Sequence, residues 1–392
     1  MKAYFDHIAA TPLNPEALQA MLPYLGEVYG NPQSLHSTGQ KALAAVETAR
    51  EDVAALLGAE SQEIYFTSSG SEANNFALKG LAQAYQAKGK HIVASAIEHQ
   101  SVLNPLKSLE KLGFTSTLVA VDRTGLIDPA DVAKAVRKDT ILVSIMTANS
   151  EVGTIEPVAE IAAVCRSKGV LFHSDAVAAA GSVPLDVQTL GVDALSLAGD
   201  QFYGPKGSGA LFLKKGTRIL PLIEGGIQEN GRRAGTESVA GIVGLGKAAA
   251  VAKRDMEART ARFLPLRDRL IRELPRLVEH VVLTGHPERR LPHHASFCIE
   301  FVEGEGMLLL LDMQGVSASS GSACTSKALK ASHVLLAMGL DHALAQGSLV
   351  FSMIDGTGPS EIDHLLRVFP PVIERLRKMS PLYTQYLKER NT

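Results

Sequence analysis

Four features of the sequence contain side chains that could do chemistry. Asp175 ends one apolar stretch, and His99 follows shortly after another. The segment Thr67 to Glu72 joins a predicted strand to a predicted helix, where backbone N–H groups and the helix dipole favour an anion. Cys324 lies in the loop SASSGSACTSK (Ser317 to Lys327), whose small residues cannot pack densely. A thiol in such a loop is accessible for nucleophilic or ligand chemistry.

Each feature also has an ordinary structural explanation. A helix cap accounts for Thr67 to Glu72 without any ligand, and Asp175 could cap the helix that follows it. His99 could be a loop histidine, and Cys324 a small residue on a surface loop. The other cysteines, Cys165 and Cys298, lie in helical and strand patterns, so we predict that they belong to the core.

Composition restricts the class of protein. The 392 residues carry a net charge of −2, which predicts no polyanion-binding surface and hence no nucleic-acid binding. The three cysteines are widely spaced and show no CxxC pair, which favours a reducing cytoplasm over a disulfide framework. No uninterrupted apolar run approaches the roughly 18 residues of a membrane span. We therefore expect a soluble cytoplasmic protein.

The elements that position these side chains alternate between strand and helix, which predicts an α/β fold with a mainly parallel sheet covered on both faces. Functional groups then belong at the carboxyl ends of the strands. The predicted strands are Glu63 to Phe66, His91 to Ser95, Thr117 to Val121, Thr140 to Met146, Val170 to His173, Ala194 to Leu197 and Ala210 to Leu213.

A second unit follows a long predicted helix, Val239 to about Leu274. The loop before this helix, Gly225 to Ser238, is too polar and flexible for a core by its composition. Beyond the helix the pattern is typical of an α+β unit. The predicted domains are a large α/β domain of residues 15–260 and a small α+β domain of residues 1–14 and 261–392, which carries the Cys324 loop.

Motifs along nearly the whole chain resemble those of the cysteine desulfurases, the NifS/IscS-like branch of the class V aminotransferases. They include, in order, YFDHIAATPLNP, GNPQSLHSTG, FTSSGSEANN, EHQSV, ANSEVGTIEPV, HSDA, YGPKGSGAL, QENGRRAGTES, SSGSACTS and SPLY. The resemblance implies the fold type I of pyridoxal phosphate enzymes, with a mainly parallel seven-stranded sheet, and a homodimer. It also implies the family's reaction, in which the cofactor labilises the thiol of cysteine and a loop cysteine takes the sulfur as a persulfide.

Several positions of the family's site are kept. By resemblance, His99 would stack on the pyridine ring, Asp175 would pair with the ring nitrogen, and Cys324 would carry the sulfur. The positions that would hold the cofactor's phosphate are Ser69, Gly70, Ser71 and, for the phosphate of a partner subunit, Thr236.

Other positions depart from the family. Gln201 stands where the family has the lysine that forms the aldimine, and an amide can neither form a Schiff base nor shuttle protons. Ala198 and Asp200 replace a serine and a histidine that help to hold the phosphate, which a carboxylate would repel. The further replacements are Ser150 for an asparagine, Ala178 for the glutamine at the phenolic oxygen, and Val350 for the arginine that holds the substrate carboxylate.

Three functions are consistent with this pattern. The first is sulfur transfer or iron–sulfur cluster assembly, with Cys324 as persulfide carrier or iron–sulfur ligand, an IscU-like scaffold as partner, and lysine-dependent chemistry lost. The second is an active cysteine desulfurase that binds pyridoxal phosphate non-covalently. The third is a non-catalytic structural partner of a true desulfurase.

Overall fold

The computed structural model describes residues 1–321 and 331–390. Within these residues the strands are β1 (Ala3–Tyr4), β2 (Ile64–Thr67), β3 (His91–Ser95), β4 (Thr115–Val119), β5 (Thr140–Ser144), β6 (Leu171–Asp175), β7 (Ala194–Ala198), β8 (Gly209–Leu213), β9 (Val281–Thr284), β10 (His294–Ile299), β11 (Val316–Ser317) and β12 (Ser348–Ser352).

The helices are α1 (Pro15–Gly26), α2 (Ser37–Leu57), α3 (Gly70–Tyr85), α4 (Gln100–Glu110), α5 (Pro129–Ala135), α6 (Val158–Lys168), α7 (Val187–Leu190), α8 (Gln228–Gly231), α9 (Val239–Leu277), α10 (Gly304–Met313), α11 (His333–Ala337), α12 (His342–Gln346), α13 (Pro359–Met379) and α14 (Pro381–Arg390). Two short 3-10 helices cover Ser61–Glu63 and Gly199–Phe202. No helix in these described ranges is both long enough and apolar enough to cross a bilayer.

A seven-stranded sheet forms the centre of the large unit, with strand order β2-β8-β7-β6-β5-β3-β4. Every neighbouring pair is parallel except the two that involve β8, which is antiparallel to both β2 and β7. Strands β3, β5 and β7 are buried along their whole length, as expected for a sheet covered on both faces. The predicted α/β class with a mainly parallel sheet is therefore confirmed.

A smaller antiparallel sheet, of order β12-β10-β9, lies in the C-terminal part of the chain. Its own apolar cluster includes Phe297, Phe351 and Phe369. The N-terminal arm joins this unit, because β1 pairs with β11 and Phe5 is buried in the same cluster. The boundaries at residues 14 and 260 themselves stay a prediction.

Helix α9 connects the two cores. Its first half packs Leu245 and Ala248 into the core of the large sheet, and its second half packs Phe263 and Leu270 into the smaller core. The predicted long helix is thus present and extends to Leu277. A single rigid element that contributes to both cores fixes the strand ends of one unit against the other.

The prediction that Gly225 to Ser238 stays outside the core is wrong at Glu229, which is buried. Its two carboxylate oxygens each accept a hydrogen bond from Arg50 at 2.8 Å, and one also accepts from the backbone N–H of Phe66 at 2.9 Å. A buried carboxylate is tolerated because a bidentate guanidinium compensates its lost hydration.

The predictions that Cys165 and Cys298 are core residues are confirmed.

Candidate functional site

A cavity of about 410 Å³ lies at the carboxyl ends of the central strands. Its walls come from segments that follow β2, β3, β5, β6 and β7, which is where parallel α/β sheets place ligands. The structure brings together most of the residues that the sequence selected, namely Ser69, Gly70, Ser71, His99, Ser150, Asp175, Ala178, Ala198, Asp200 and Gln201.

Three selected residues are not among the described residues of this wall. Val350 lies inside β12, buried, where its backbone exchanges hydrogen bonds with Ser319 at 2.7 and 3.2 Å. Thr236 is exposed on the loop before α9. Cys324 lies outside the described residues. The described residues on either side of it, Gly321 and Ala331, both line the cavity.

Asp175 is the buried acid at the end of β6. One carboxylate oxygen accepts a hydrogen bond from Asn74 Nδ2 at 2.6 Å, and the other accepts from the N–H of Val177 at 3.0 Å. Burial raises the pKa of Asp175, while the Val177 N–H, the charge of His99 and the Asn74 amide oppose that rise. Asp175 can therefore pair with a protonated ring nitrogen without losing these bonds, because each carboxylate oxygen has two acceptor sites.

His99 caps the N-terminus of α4 with its ring. The backbone N–H of Ser101 donates to His99 Nδ1 at 3.1 Å, and the Ser101 hydroxyl lies 2.7 Å from the same nitrogen. An Nδ1 that accepts a hydrogen bond leaves the proton of the neutral ring on Nε2. Ser101 also accepts from Asn74 at 2.8 Å, so one network holds both His99 and Asp175.

The N-terminus of α3 forms another part of the cavity wall. This helix begins at Gly70, because Ser69 caps it by accepting a hydrogen bond from the N–H of Glu72 at 3.1 Å. A Cβ on Gly70 would lie 2.5 Å from Val177 Cγ2 and 3.2 Å from Ala198 Cβ. The glycine thus allows the helix end to pack directly against the strand ends.

Gln201 belongs to the 3-10 helix that follows β7, and it is buried. Its side-chain amide donates to the carbonyl of Ile8 at 3.3 Å, and its own carbonyl lies 2.9 Å from the ring of His7. The hydroxyl of Thr11 donates to the Asp200 carbonyl at 2.6 Å. The N-terminal arm therefore fixes this turn, and the Gln201 side chain is already engaged with the backbone.

Sequence reasoning missed three polar groups of the cavity, of which Glu98 and Asn74 are buried and Glu151 is partly buried. Glu98 Oε1 accepts from the N–H of Met146 at 2.9 Å, whereas Glu98 Oε2 and Asn74 Oδ1 have no hydrogen-bond partner within the described chain. Glu151 accepts from the hydroxyl of Ser332. The position of Glu98 directly before His99 was the one available signal, because burial depends on tertiary packing.

Burial gives two of these acids abnormal pKa values. It raises the pKa of Glu98 well above its ordinary range, helped by the nearby charges of Asp175 and Glu156. It raises the pKa of Glu151 to about 7, against the opposing hydrogen bond from Ser332. Both carboxyl groups therefore hold protons at pH values where an exposed glutamate is ionised.

Acidic residues outnumber basic ones on the described part of the cavity wall. Four acids line it, Glu98, Glu151, Asp175 and Asp200, and its described residues include no lysine and no arginine. Burial raises the pKa of Asp200, and the charge of Lys206 opposes this rise. Lys206 itself is exposed and does not line the cavity.

Comparison with known proteins identifies the family. The family described as Aminotransferase class-V matches residues 3–365. The chain is 49% identical over 380 residues to the cysteine desulfurase IscS of Dictyoglomus turgidum, covering 97% of this chain and 96% of that protein. The chain belongs to the cysteine desulfurases. It is also 48% identical over 379 residues to the IscS of Methanosarcina thermophila, covering 97% and 94%.

Solved structures agree with this assignment. A NifS-like protein superposes with a TM-score of 0.90 at 36% identity, covering 96% of this chain and all of that one. A NifS-like protein from Rickettsia africae superposes with a TM-score of 0.86 at 29% identity, covering 95% and 100%. The fold is thus that of the type I pyridoxal phosphate enzymes, as the motifs implied.

Pyridoxal phosphate is the cofactor of this family, and the cavity fits it in part. Asp175 and His99 are placed to receive a pyridine ring. By the resemblance, Gln201 would face the aldehyde end; its amide offers no amine, and no lysine lines the described wall. By the resemblance, Ala198 and Asp200 stand at positions where the family has groups that help to hold the phosphate. The described residues of the wall therefore do not fit a lysine-linked cofactor.

Proposed function

We propose that this protein acts in sulfur transfer and iron–sulfur cluster assembly by carrying persulfide sulfur on Cys324, without lysine-dependent cofactor chemistry. The observation that carries the proposal is the engagement of Gln201. Its amide, at the position of the family's lysine, is buried and bonded to the Ile8 carbonyl. The relatives named cysteine desulfurase support the sulfur-transfer class.

The flanks of the Cys324 segment support a role at this cavity. Gly321 and Ala331 line the cavity, and Cys324 follows Gly321 by three residues in the sequence. The transfer step is balanced without an added oxidant. The Cys324 thiolate attacks the outer sulfur of a persulfide donor, the donor's S–S bond breaks, and the donor leaves as a thiolate that takes up a proton.

For iron–sulfur ligation, Cys324 would supply one thiolate, and a partner protein would supply the remaining ligands. The described residues hold no group of three or more His, Cys, Asp or Glu side chains that could bind a metal ion. The sequence from residue 322 to 330 adds Cys324 and none of these other residue types. A cluster bound by this chain therefore needs a scaffold, for which an IscU-like protein is our proposed partner, docking near Ser380–Tyr383.

We also propose a homodimer in a reducing cytoplasm. Thr236, which would serve the partner subunit, is exposed beside Glu237, and Glu237 accepts a hydrogen bond from Gln33 at 2.9 Å. Large apolar side chains on these two joined loops face solvent, with Leu35 93% and Ile227 77% exposed. A partner subunit that docks on these loops would cover both side chains.

The proposal is tested by sulfur loading of the purified protein. The protein is incubated with a small persulfide donor, the excess is removed, and bound sulfane sulfur is mapped by peptide mass spectrometry. We expect sulfur on the Cys324 peptide in the parent and in Cys298→Ser, and none in Cys324→Ser. Equal loading of Cys324→Ser would refute the carrier role.

The second function, a desulfurase with non-covalent pyridoxal phosphate, is favoured by the preserved ring site of His99 and Asp175. It predicts cofactor absorbance after incubation with pyridoxal phosphate, and alanine and sulfide formation from cysteine. We expect neither product from the parent chain. If alanine forms from cysteine at the same rate as sulfide, the second function replaces the first proposal.

A further inference from the structure

A second cavity lies at the amino ends of β5 and β6, at the edge of the sheet opposite the candidate site. This amino-end cavity has a volume of about 480 Å³, and its wall includes residues at or just after the ends of α3, α5 and α6. Strands β5 and β6 have five residues each, so the two cavities lie roughly 15 Å apart. The amino-end cavity is therefore separate from the site at the carboxyl ends of the strands.

The described wall of the amino-end cavity has only positively charged side chains among its ionised groups. Lys88, Arg137, Lys138 and Lys168 line it together with seven neutral residues, and no aspartate or glutamate is among its described residues. Residues 322–330 contain two lysines and no acid, and residues 391–392 have no acidic side chain, so neither segment supplies a side chain that reverses the sign. The cavity therefore favours an anion.

Three of the four positive side chains have no acidic partner. Lys88, Lys138 and Lys168 form no ion pair with any other described residue. The fourth, Arg137, pairs with the exposed Asp139, with its Nε donating at 2.7 Å and its Nη2 donating at 3.1 Å. Because like charges repel one another across a shared cavity, an anion that binds between the lysines relieves this repulsion.

Separate segments of the large unit position these charges. The N–H of Lys88 donates to the carbonyl of Tyr85 at 2.8 Å, and Lys88 Nζ lies 5.1 Å from the centre of the Tyr85 ring. A tight turn carries Lys138, because the N–H of Thr140 donates to the Arg137 carbonyl at 3.0 Å and the Thr140 hydroxyl accepts from the Arg137 N–H at 2.8 Å. The third segment is the last turn of α6. The charges thus converge from three anchored parts of the fold.

Helix ends account for part of this positive charge. Helices α3, α5 and α6 all end at the amino-end cavity, and each C-terminus is equivalent to roughly half a negative charge, which attracts lysine. Three such ends and the carboxylate of Asp139 still leave the four cations with a net positive charge of roughly one and a half. The remaining charge needs a further anion for its compensation.

We propose that the amino-end cavity binds a diphosphate or triphosphate group. Such a group concentrates several negative charges in a small volume, and its oxygens accept charge-assisted hydrogen bonds from lysine ammonium groups. Inorganic pyrophosphate and a nucleotide present the same chemistry to the three unpaired lysines. The inference goes beyond the proposed function, because it involves neither Cys324 nor the cavity at the carboxyl ends of the strands.

Isothermal titration calorimetry of the full-length protein with pyrophosphate tests the proposal, at low ionic strength and without divalent cations. We expect saturable binding that weakens about tenfold or more in ~0.3 M NaCl, because salt screens exposed charges. ATP is the second ligand. An ATP affinity no higher than that of pyrophosphate assigns recognition to the phosphates alone, and a higher one assigns the group to a nucleotide. Absence of saturable pyrophosphate binding would overturn the proposal.

Variants assign the binding to the amino-end cavity. Lys138→Gln/Lys168→Gln removes two of its unpaired charges and should weaken pyrophosphate binding about tenfold or more. The matched control, Lys2→Gln/Lys41→Gln, removes two exposed lysines outside the described wall and should change the affinity by less than about twofold. Circular dichroism confirms that both variants are folded. Equal affinities in the two double variants would contradict the assigned site.

Sulfur loading separates this inference from the proposed function. Lys138→Gln/Lys168→Gln should load sulfur on Cys324 as the parent does, and Cys324→Ser should bind pyrophosphate as the parent does. A parent that binds pyrophosphate without loading sulfur would refute the carrier role alone. Loss of pyrophosphate binding in Cys324→Ser would contradict the assignment to the amino-end cavity.

Discussion

The buried ion pair between Arg50 and Glu229 gives the sharpest prediction for stability. The side chains are 11% and 3% exposed, and they form two hydrogen bonds of 2.8 Å. Glu229 also accepts from the N–H of Phe66, so the pair fixes the loop that carries Thr236 against β2. Glu229→Gln keeps an acceptor for Phe66 but leaves the Arg50 charge without its buried carboxylate partner, at a cost of about 3 kcal/mol.

Equilibrium unfolding in urea measures this cost, and a double-mutant cycle isolates the pair. Glu229→Gln and Arg50→Met are compared singly and together, and we expect a coupling of about 2 kcal/mol or more. The matched control is Glu47→Gln, which removes the other acid bonded to Arg50. Glu47 is 50% exposed, so its removal should cost at most about 0.5 kcal/mol. A Glu229→Gln cost as small as the control's would refute the reasoning.

Three further predictions concern the cavity and the sheet beneath it. Burial raises the pKa of Glu151 from 4.5 to about 7. Between these two pH values the folded protein keeps the Glu151 proton and the unfolded chain has lost it, so the free energy of unfolding falls as the pH rises from 4.5 to about 7. Glu151→Gln has no carboxyl group to titrate at this position and therefore does not lose this stability. In urea titrations, its free energy of unfolding minus that of the parent should rise by about 2 kcal/mol from pH 5 to pH 8; a constant difference would disprove the burial effect. Gly70→Ala should cost about 1–3 kcal/mol, because its Cβ would lie 2.5 Å from Val177 Cγ2, and Val177→Ala in the same chain should recover part of the loss in thermal unfolding; no recovery would argue against that contact. Ser196→Ala should cost about 1–2 kcal/mol in urea unfolding, because it removes the partner that lies 2.9 Å from the buried ring nitrogen Nε2 of His173, and a loss below about 0.5 kcal/mol would count against this bond.

The sequence predicted the parts of the fold that depend on local pattern. The apolar runs that precede Asp175 and Gln201 predicted strands with functional groups beyond their carboxyl ends, and the structure places both residues on the cavity wall. The antiparallel direction of β8 was not predictable, because a fully buried strand is a continuous apolar run in either direction.

Burial of polar groups was the main feature that the sequence did not show. Glu229 lies in a loop of Gly, Asn and Arg that resembles a solvated connection, and its burial depends on Arg50, 179 positions away. Asn74 lies within α3 like any polar residue of an amphipathic helix, and its contact with Asp175 spans 101 positions. Such pairings follow from the packing of distant elements, which local periodicity does not encode.

The central claim, that Cys324 carries sulfur while Gln201 excludes a lysine-linked cofactor, is tested most directly by one mass measurement. Protein freed of small molecules is divided into two samples, one treated with a persulfide donor alone and the other with L-cysteine and pyridoxal phosphate. Part of each sample is reduced with borohydride to fix any pyridoxyl adduct on lysine, and the rest is mapped for sulfur on its cysteines. We predict sulfur on Cys324 from the persulfide donor alone, and neither a pyridoxyl adduct on lysine nor sulfur on Cys324 in the second sample. A lysine adduct together with sulfur on Cys324 derived from cysteine would contradict the account.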